Sequence, residues 1–204
     1  ELLVVDDGSG EEFETILAEI DDLDDRVTVI RQAANQGAYP TRNAGLKRSS
    51  GDFITVHDDD DWSHPQKIAA QVGHLLDNSE VPANMSAHVR LTDSGQLVRI
   101  NVNAILIQPN YSSLMFRREV TDRVGGWQEV RKGADSEFKE RIDSVYDTRV
   151  PVLLQAPLSF TRTSTGNLTF GDISRGFISS DRRWFANLHR ITHENIARGD
   201  LPLE

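Results

Sequence analysis

Three short apolar runs, each followed by a polar turn and then by apolar residues at helical spacing, organise the first 80 residues. Leu2-Leu3-Val4-Val5 stops at Asp6-Asp7-Gly8-Ser9 and reads as a buried strand ending in a polar turn. Ser9 and Glu12 have capping-box spacing, and Phe13, Ile16, Leu17, Ile20 and Leu23 predict an amphipathic helix over 11–24. Val27 to Ile30 is a second strand; Asn35-Gln36-Gly37 is a turn, and a helix follows over Pro40 to Ser50. Phe53 to Val56 is a third strand that runs into His57 and then Asp58-Asp59-Asp60-Asp61-Trp62. A second capping-box pair, Ser63 and Gln66, opens a helix over roughly 64–77 carrying Ile68, Ala69, Val72, Leu75 and Leu76. Strand–helix repeats with crossovers this short predict parallel strands covered by helices on both faces.

The pattern then changes. Met85, Ala87, Val89 and Leu91 alternate with polar residues, and a turn at Asp93-Ser94-Gly95 leads to Leu97 to Asn101, which predicts a one-faced hairpin. Ser113 to Phe116 is a further strand, Glu119 to Val124 a short helix stopped by Gly125-Gly126, and Ala134 to Ile142 another helix. Pro151 and Pro157 restrict strand material over Val150 to Thr163 to an edge or a bend. Phe177 to Arg198 predicts a helical tail.

Composition narrows the chemistry. The chain has 204 residues, no cysteine and a formal net charge of −10. Without Cys there is no disulfide, thiol nucleophile or iron–sulfur cluster, which fits a reducing compartment and an expected cytoplasmic location. An acidic chain lacks the basic face that nucleic acid requires, so no nucleic-acid partner is expected. No apolar run reaches the roughly 18 residues that a membrane span needs.

Charge is concentrated in two places. Glu19, Asp21, Asp22, Asp24 and Asp25 crowd a helix end that disfavours negative charge, and read as a solvated face. Asp58 to Asp61 differ, because they follow a strand at the sheet edge where ligands bind in open α/β folds. Adjacent carboxylates raise one another's pKa unless a cation relieves them, and hard oxygens suit Mg²⁺ or Mn²⁺.

The ordered motifs resemble family 2 glycosyltransferases. Leu3-Val4-Val5-Asp6-Asp7-Gly8-Ser9 is similar to the family's strand and Asp-Asp-Gly-Ser turn. Asn35-Gln36-Gly37 with Thr41-Arg42-Asn43-Ala44-Gly45 is similar to its Asn-x-Gly and Ala-Arg-Asn-x-Gly segment. Gly51-Asp52-Phe53 into Asp58 to Asp61, Trp62 and Pro65 is similar to its Asp-x-Asp strand end, and Gly125-Gly126-Trp127 with Gly133-Ala134-Asp135 to its acceptor-side motifs.

The resemblance implies a GT-A-like α/β fold: a mostly parallel, Rossmann-like sheet flanked by helices, with a smaller mixed acceptor-side region. It implies one domain over 1–204, with a nucleotide-sugar half at 1–80, an acceptor-side half at 81–175 and a helical tail at 176–204. The implied activity is inverting, metal-dependent transfer from a nucleotide sugar, most commonly a UDP-sugar, to a saccharide or other hydroxyl acceptor. Asp7 would contact the base, Asp58 or Asp59 the ribose, Asp60 a divalent cation (Mn²⁺ or Mg²⁺), and Arg42 the nucleotide side; Asp135 would be the catalytic base.

Several positions depart from the pattern. The family's opening strand is absent, so the start is expected to be missing and the sheet to have an open edge. Ala134 stands where Glu is common, leaving Asp135 as the base and Glu137 as its fallback. Ser164 replaces a His in Arg162 to Thr169. His189 and His193, four apart without a third ligand, read as a solvated helix face. A catalytically degenerate nucleotide-sugar-binding module is the alternative function. A nucleotidyltransferase is a third reading, and the Gly-rich basic loop it expects is not seen here.

Overall fold

The computed structural model describes residues 1–98, 105–164 and 180–198. In chain order the elements are β1 (Leu2–Asp6), a 3-10 turn (Glu11–Phe13), α1 (Glu14–Asp21), β2 (Val27–Arg31), α2 (Ala38–Arg48), β3 (Phe53–Thr55), β4 (Trp62–Ser63) and α3 (Lys67–Asp77). The second half contributes β5 (Ala83–Thr92), β6 (Leu97–Val98), β7 (Gln108–Pro109), a 3-10 turn (Tyr111–Ser113), β8 (Met115–Arg117), α4 (Glu119–Val124), α5 (Ala134–Val145), β9 (Val152–Thr163) and α6 (Ser180–Ala197).

β1 and β2 form a parallel pair. A larger sheet runs β3-β8-β5-β9-β4, with β6 and β7 paired to β5. Among the described residues, β1 pairs with β2 alone and β3 with β8 alone. Parallel pairing holds for β1–β2 and β5–β9, whereas β3 is antiparallel to β8. The strand–helix repeat therefore predicts the elements but not every pairing, because β3 takes its neighbour from the second half of the chain.

β5 is buried on both faces over Ala83 to Val89, not on one. β8 and β9 flank it, and α3 packs beside it. β9 lies between β5 and β4 rather than at an edge. Pro157 falls at a bend, where the register jumps from Ser86↔Leu153 to Ala87↔Pro157, and Pro151 precedes the strand. The 93–95 turn closes a β5–β6 hairpin as its spacing predicts, up to Val98; residues 99–101 of that reading lie outside the described residues. Both capping boxes fail to form: Ser9 N–H donates to Asp6, and α3 starts at Lys67 without a side-chain cap.

The main core joins both halves. Phe116, Trp127 and Phe138 stack edge-on or tilted at 4.9–5.8 Å, with Ile54, Met85, Val120 and Ile142 around them. Burying three aromatic rings accounts for a large part of the core's apolar gain. Trp127 serves packing, while Trp62 is exposed on β4 beside Phe160. No helix among the described residues is long and apolar enough to cross a membrane.

Candidate active site

The C-terminal ends of β1 and β3, the start of α2 and the start of α5 supply the implied site residues. Gly8 sits at φ +81°, a conformation that glycine adopts without a Cβ penalty, and lets the chain turn directly after β1. That turn presents Asp7. Its two carboxylate oxygens accept the N–H groups of Gln36 (2.8 Å) and Gly37 (2.7 Å), fixing the loop that leads into α2. Asp7 is thus built into the wall of the site and holds the Asn35-Gln36-Gly37 turn.

Arg42 is the hub. It lies on α2, is largely buried, and forks between two carboxylates. One arm donates to Asp58 at 2.6 Å, and the other pairs with Asp135. Tyr39, one turn earlier, donates its hydroxyl to the second Asp135 oxygen at 3.1 Å and accepts the Gly133 N–H. Burial opposes the Arg42 charge, but Asp135, Asp58 and Tyr39 outweigh it and hold the guanidinium more firmly protonated than usual. Burial pushes the Tyr39 hydroxyl up, so it stays a donor.

Asp135 sits in the first turn of α5, after Gly133 at φ +91°. Burial raises its carboxyl above the ordinary range, and Arg42 opposes that rise. Each of its oxygens keeps a second lone pair beyond the hydrogen bond it already accepts. Glu137 has the opposite character. Its side chain is 0 % exposed, Arg141 binds it with two bonds of 2.9 Å, and His193 donates at 3.0 Å. A carboxylate sealed this way has no route to a substrate hydroxyl.

The four aspartates of the turn have different environments. Asp58 is committed to Arg42, and Asp59 and Asp60 face solvent. Burial and the neighbouring Asp58 and Asp59 raise Asp60, the response of a carboxyl crowded by like charge. Asp61 turns away and ties the turn to β9, accepting from Thr161 at 3.0 Å and from the Arg162 N–H at 3.1 Å. Burial pushes it up to about 6. Lys67, at the head of α3, is buried beside Asp58 and Asp61, and sequence reasoning overlooked it. A lysine in a Pro-x-Lys step carries no signal of burial.

Among the described residues no three or more His, Cys, Asp or Glu side chains converge as a ready-made metal site. A Mg²⁺- or Mn²⁺-type ion takes hard oxygen donors, often one or two carboxylates with substrate phosphate and water supplying the rest. Asp60 has the hard donor atoms and the repulsion that such an ion relieves.

The C-terminal histidines are not a solvated face. His189 and His193 are 4 % and 8 % exposed and pair with Glu140 (2.9 Å) and Glu137 (3.0 Å), docking α6 on α5. In Arg162 to Thr169, residues 165–169 lie outside the described residues.

A family model described as Glycosyl transferase family 2 matches residues 1–132. The chain belongs to that family. An uncharacterized glycosyltransferase of Haemophilus influenzae is 38% identical over 78 residues, covering 38% of this chain and 31% of that protein. The putative glycosyltransferase EpsH of Bacillus subtilis is 40% identical over 65 residues, covering 32% and 19%. Among solved structures, S. aureus TarS 1–349 in complex with UDP-GlcNAc superposes with a TM-score of 0.65 at 18% identity, covering 94% of this chain and 56% of that one. Mannosyltransferase PcManGT from Pyrobaculum calidifontis, in complex with GDP-Man and Mn²⁺, superposes at 0.57 with 17% identity, covering 83% and 49%. The fold of this family 2 chain is therefore GT-A-like. The chain spans under a third of those two relatives and about half of the two structures. Asp135 lies just beyond the family match, and its link to the matched region is the Arg42 and Tyr39 contact.

Proposed function

We propose that this chain transfers a sugar from a nucleotide-sugar donor, a UDP-sugar by preference, to an acceptor hydroxyl with inversion at the anomeric carbon. The observation that carries the reading is the Arg42 fork, which brings the donor-side Asp58 and the acceptor-side Asp135 to one guanidinium. The names of two structural neighbours, one with UDP-GlcNAc and one with GDP-Man and Mn²⁺, support a nucleotide-sugar donor.

In this reading residues 1–80 hold the nucleotide, 81–175 shape the acceptor side and 176–204 form the tail. Asp7 lies toward the base at the Gly8 turn, Asp58 or Asp59 reaches the ribose, and Arg42 lines the nucleotide side. Asp60 would hold the divalent ion, which when bound neutralises charge developing on the leaving diphosphate. Asp135 takes the proton of the acceptor hydroxyl. The oxygen attacks the anomeric carbon as the bond to the diphosphate oxygen breaks and its electron pair leaves with the nucleoside diphosphate. One base suffices, and no covalent intermediate forms. A carboxyl raised by burial is well matched to that role.

Calorimetric titration with UDP, with and without Mn²⁺, tests the donor side: saturating metal should strengthen UDP binding, and no effect of metal removes the metal-dependent reading. Asp135→Asn tests the base. UDP affinity should stay within about twofold while transfer falls at least about 100-fold. Tight UDP binding without transfer or donor hydrolysis by the unaltered protein, across a panel of sugar acceptors, would favour the degenerate module instead.

A further inference from the structure

Gly133 is the joint on which α5 begins. It stands at φ +91°, and its N–H donates at 3.1 Å to the Tyr39 hydroxyl, which itself donates to Asp135. Glycine enters that left-handed conformation without a Cβ penalty and leaves it as easily. Asp135, two residues on, would move with it. Ser136 holds the Gly133 carbonyl at 2.9 Å, and glycine has no side chain with which to cap the helix. The remaining side of the joint is closed by α6. A Cβ at Gly133 would lie 3.1 Å from Cδ1 of Phe185, so the ring is seated against the glycine. The Phe185 ring stands edge-on to His189 at 5.1 Å, and His189 and His193 fasten α6 to Glu140 and Glu137 of α5. Two contacts outside the Arg42–Tyr39–Asp135 cluster therefore hold the ring in place.

We propose that Phe185 is a positioning residue for the base: by closing on Gly133 it keeps the start of α5 in the geometry in which Tyr39 and Arg42 hold Asp135. The inference deepens the base reading of Asp135 given above and rests on it. A base must be held within a fraction of an ångström to meet an acceptor hydroxyl, and side chains that support it without touching substrate set that precision. Phe185 lies beyond the family match, which ends at residue 132, so the ordered motifs gave no sign of it. The helical tail thus takes part in the reaction without reaching the substrate.

The test compares the unaltered protein with Phe185→Ala, Phe185→Leu and Leu17→Ala, each first checked for cooperative thermal unfolding. Leu17 is buried on α1, outside the cluster that holds α5, and its truncation lowers stability without touching α6. One readout is amide hydrogen exchange at Gly133 by NMR, which needs no substrate. The other is UDP release from a panel of UDP-sugars with a panel of sugar acceptors. Phe185→Ala should speed Gly133 exchange by at least about tenfold. It should lower kcat by at least about tenfold, with the donor KM unchanged within about twofold. Phe185→Leu should restore both to within about threefold, and Leu17→Ala should leave both near the unaltered values. Gly133 exchange or kcat unchanged within about twofold in Phe185→Ala overturns the inference and leaves the base reading intact. An equal fall of kcat in Leu17→Ala also overturns it, because turnover would then follow stability alone. Failure of Phe185→Ala to fold overturns it as well, since the ring would then serve the fold. Absence of turnover by the unaltered protein across both panels removes the transferase reading and this inference with it.

Discussion

Asp61→Asn isolates one carboxylate whose work is mechanical. Asp61 accepts hydrogen bonds from Thr161 and the Arg162 N–H, and burial pushes its carboxyl up to about 6. An unfolded Asp titrates near ~3.9, so the folded state binds the proton more tightly, by about 2 pH units. The sign follows from linkage. Between about pH 4 and 6 the folded protein carries more protons than the unfolded chain, so stability falls as pH rises through that window. The full shift corresponds to about 3 kcal/mol, and the partial exposure of Asp61 reduces it to about 2 kcal/mol. Asparagine keeps both contacts: its oxygen accepts from the Arg162 N–H, and its amide donates to the Thr161 hydroxyl, which can then donate to His88 Nδ1 at 2.7 Å. Urea unfolding of both proteins from pH 4 to 8 should show equal stability near pH 4 and the variant ahead by about 2 kcal/mol at pH 8. Burial, then Arg90, pushes His88 down to about 4, which adds stability with rising pH, the opposite sign to Asp61. A stability difference that does not change with pH would refute the reasoning, as would a variant weaker than the unaltered protein at pH 8.

Three further outcomes follow from the same contacts. Arg42→Met leaves Asp58 and Asp135 without their shared cation and should cost about 2 kcal/mol by urea unfolding. It should also move the acid limb of the transfer rate to higher pH, because Arg42 holds the Asp135 carboxyl down; an unmoved limb counts against Asp135 as base. Glu137→Ala strands Arg141 and His193 and should cost about 3 kcal/mol by urea unfolding, with a loss under about 1 kcal/mol contradicting a buried ion cluster. Gly8→Ala forces a Cβ to 2.8 Å from the Asn35 nitrogen at φ +81° and should weaken UDP binding in calorimetry; unchanged affinity would show that the Asp7 turn does not shape the nucleotide pocket.

Much of this was legible in the residues. Apolar runs leading into aspartates located β1 and β3, helical spacing located α1 and α3, and the ordered motifs led to the family. The pairing of β3 with β8 was not legible, because a three-residue strand carries no mark of its partner. The true role of His189 and His193 was hidden for a similar reason: four-residue spacing sets a helix face, but the glutamates that cover it come from another helix. The Arg42 fork required three segments to meet, so sequence could nominate its members without assembling them.

That fork also bears on how the protein comes into being. Arg42 and Asp135 are separated by 93 residues, Tyr39 and Asp135 by 96, and Asp61 and Thr161 by 100. Contacts this distant along the chain close late, since a long loop's entropy must be overcome before they form. A polypeptide emerging from synthesis has the acidic turn and Arg42 well before α5 or β9 exists to meet them. The Arg42 fork and the Asp61 anchor therefore close late in folding, and a chain stopped before Asp135 would carry the family's earlier motifs without the proposed base.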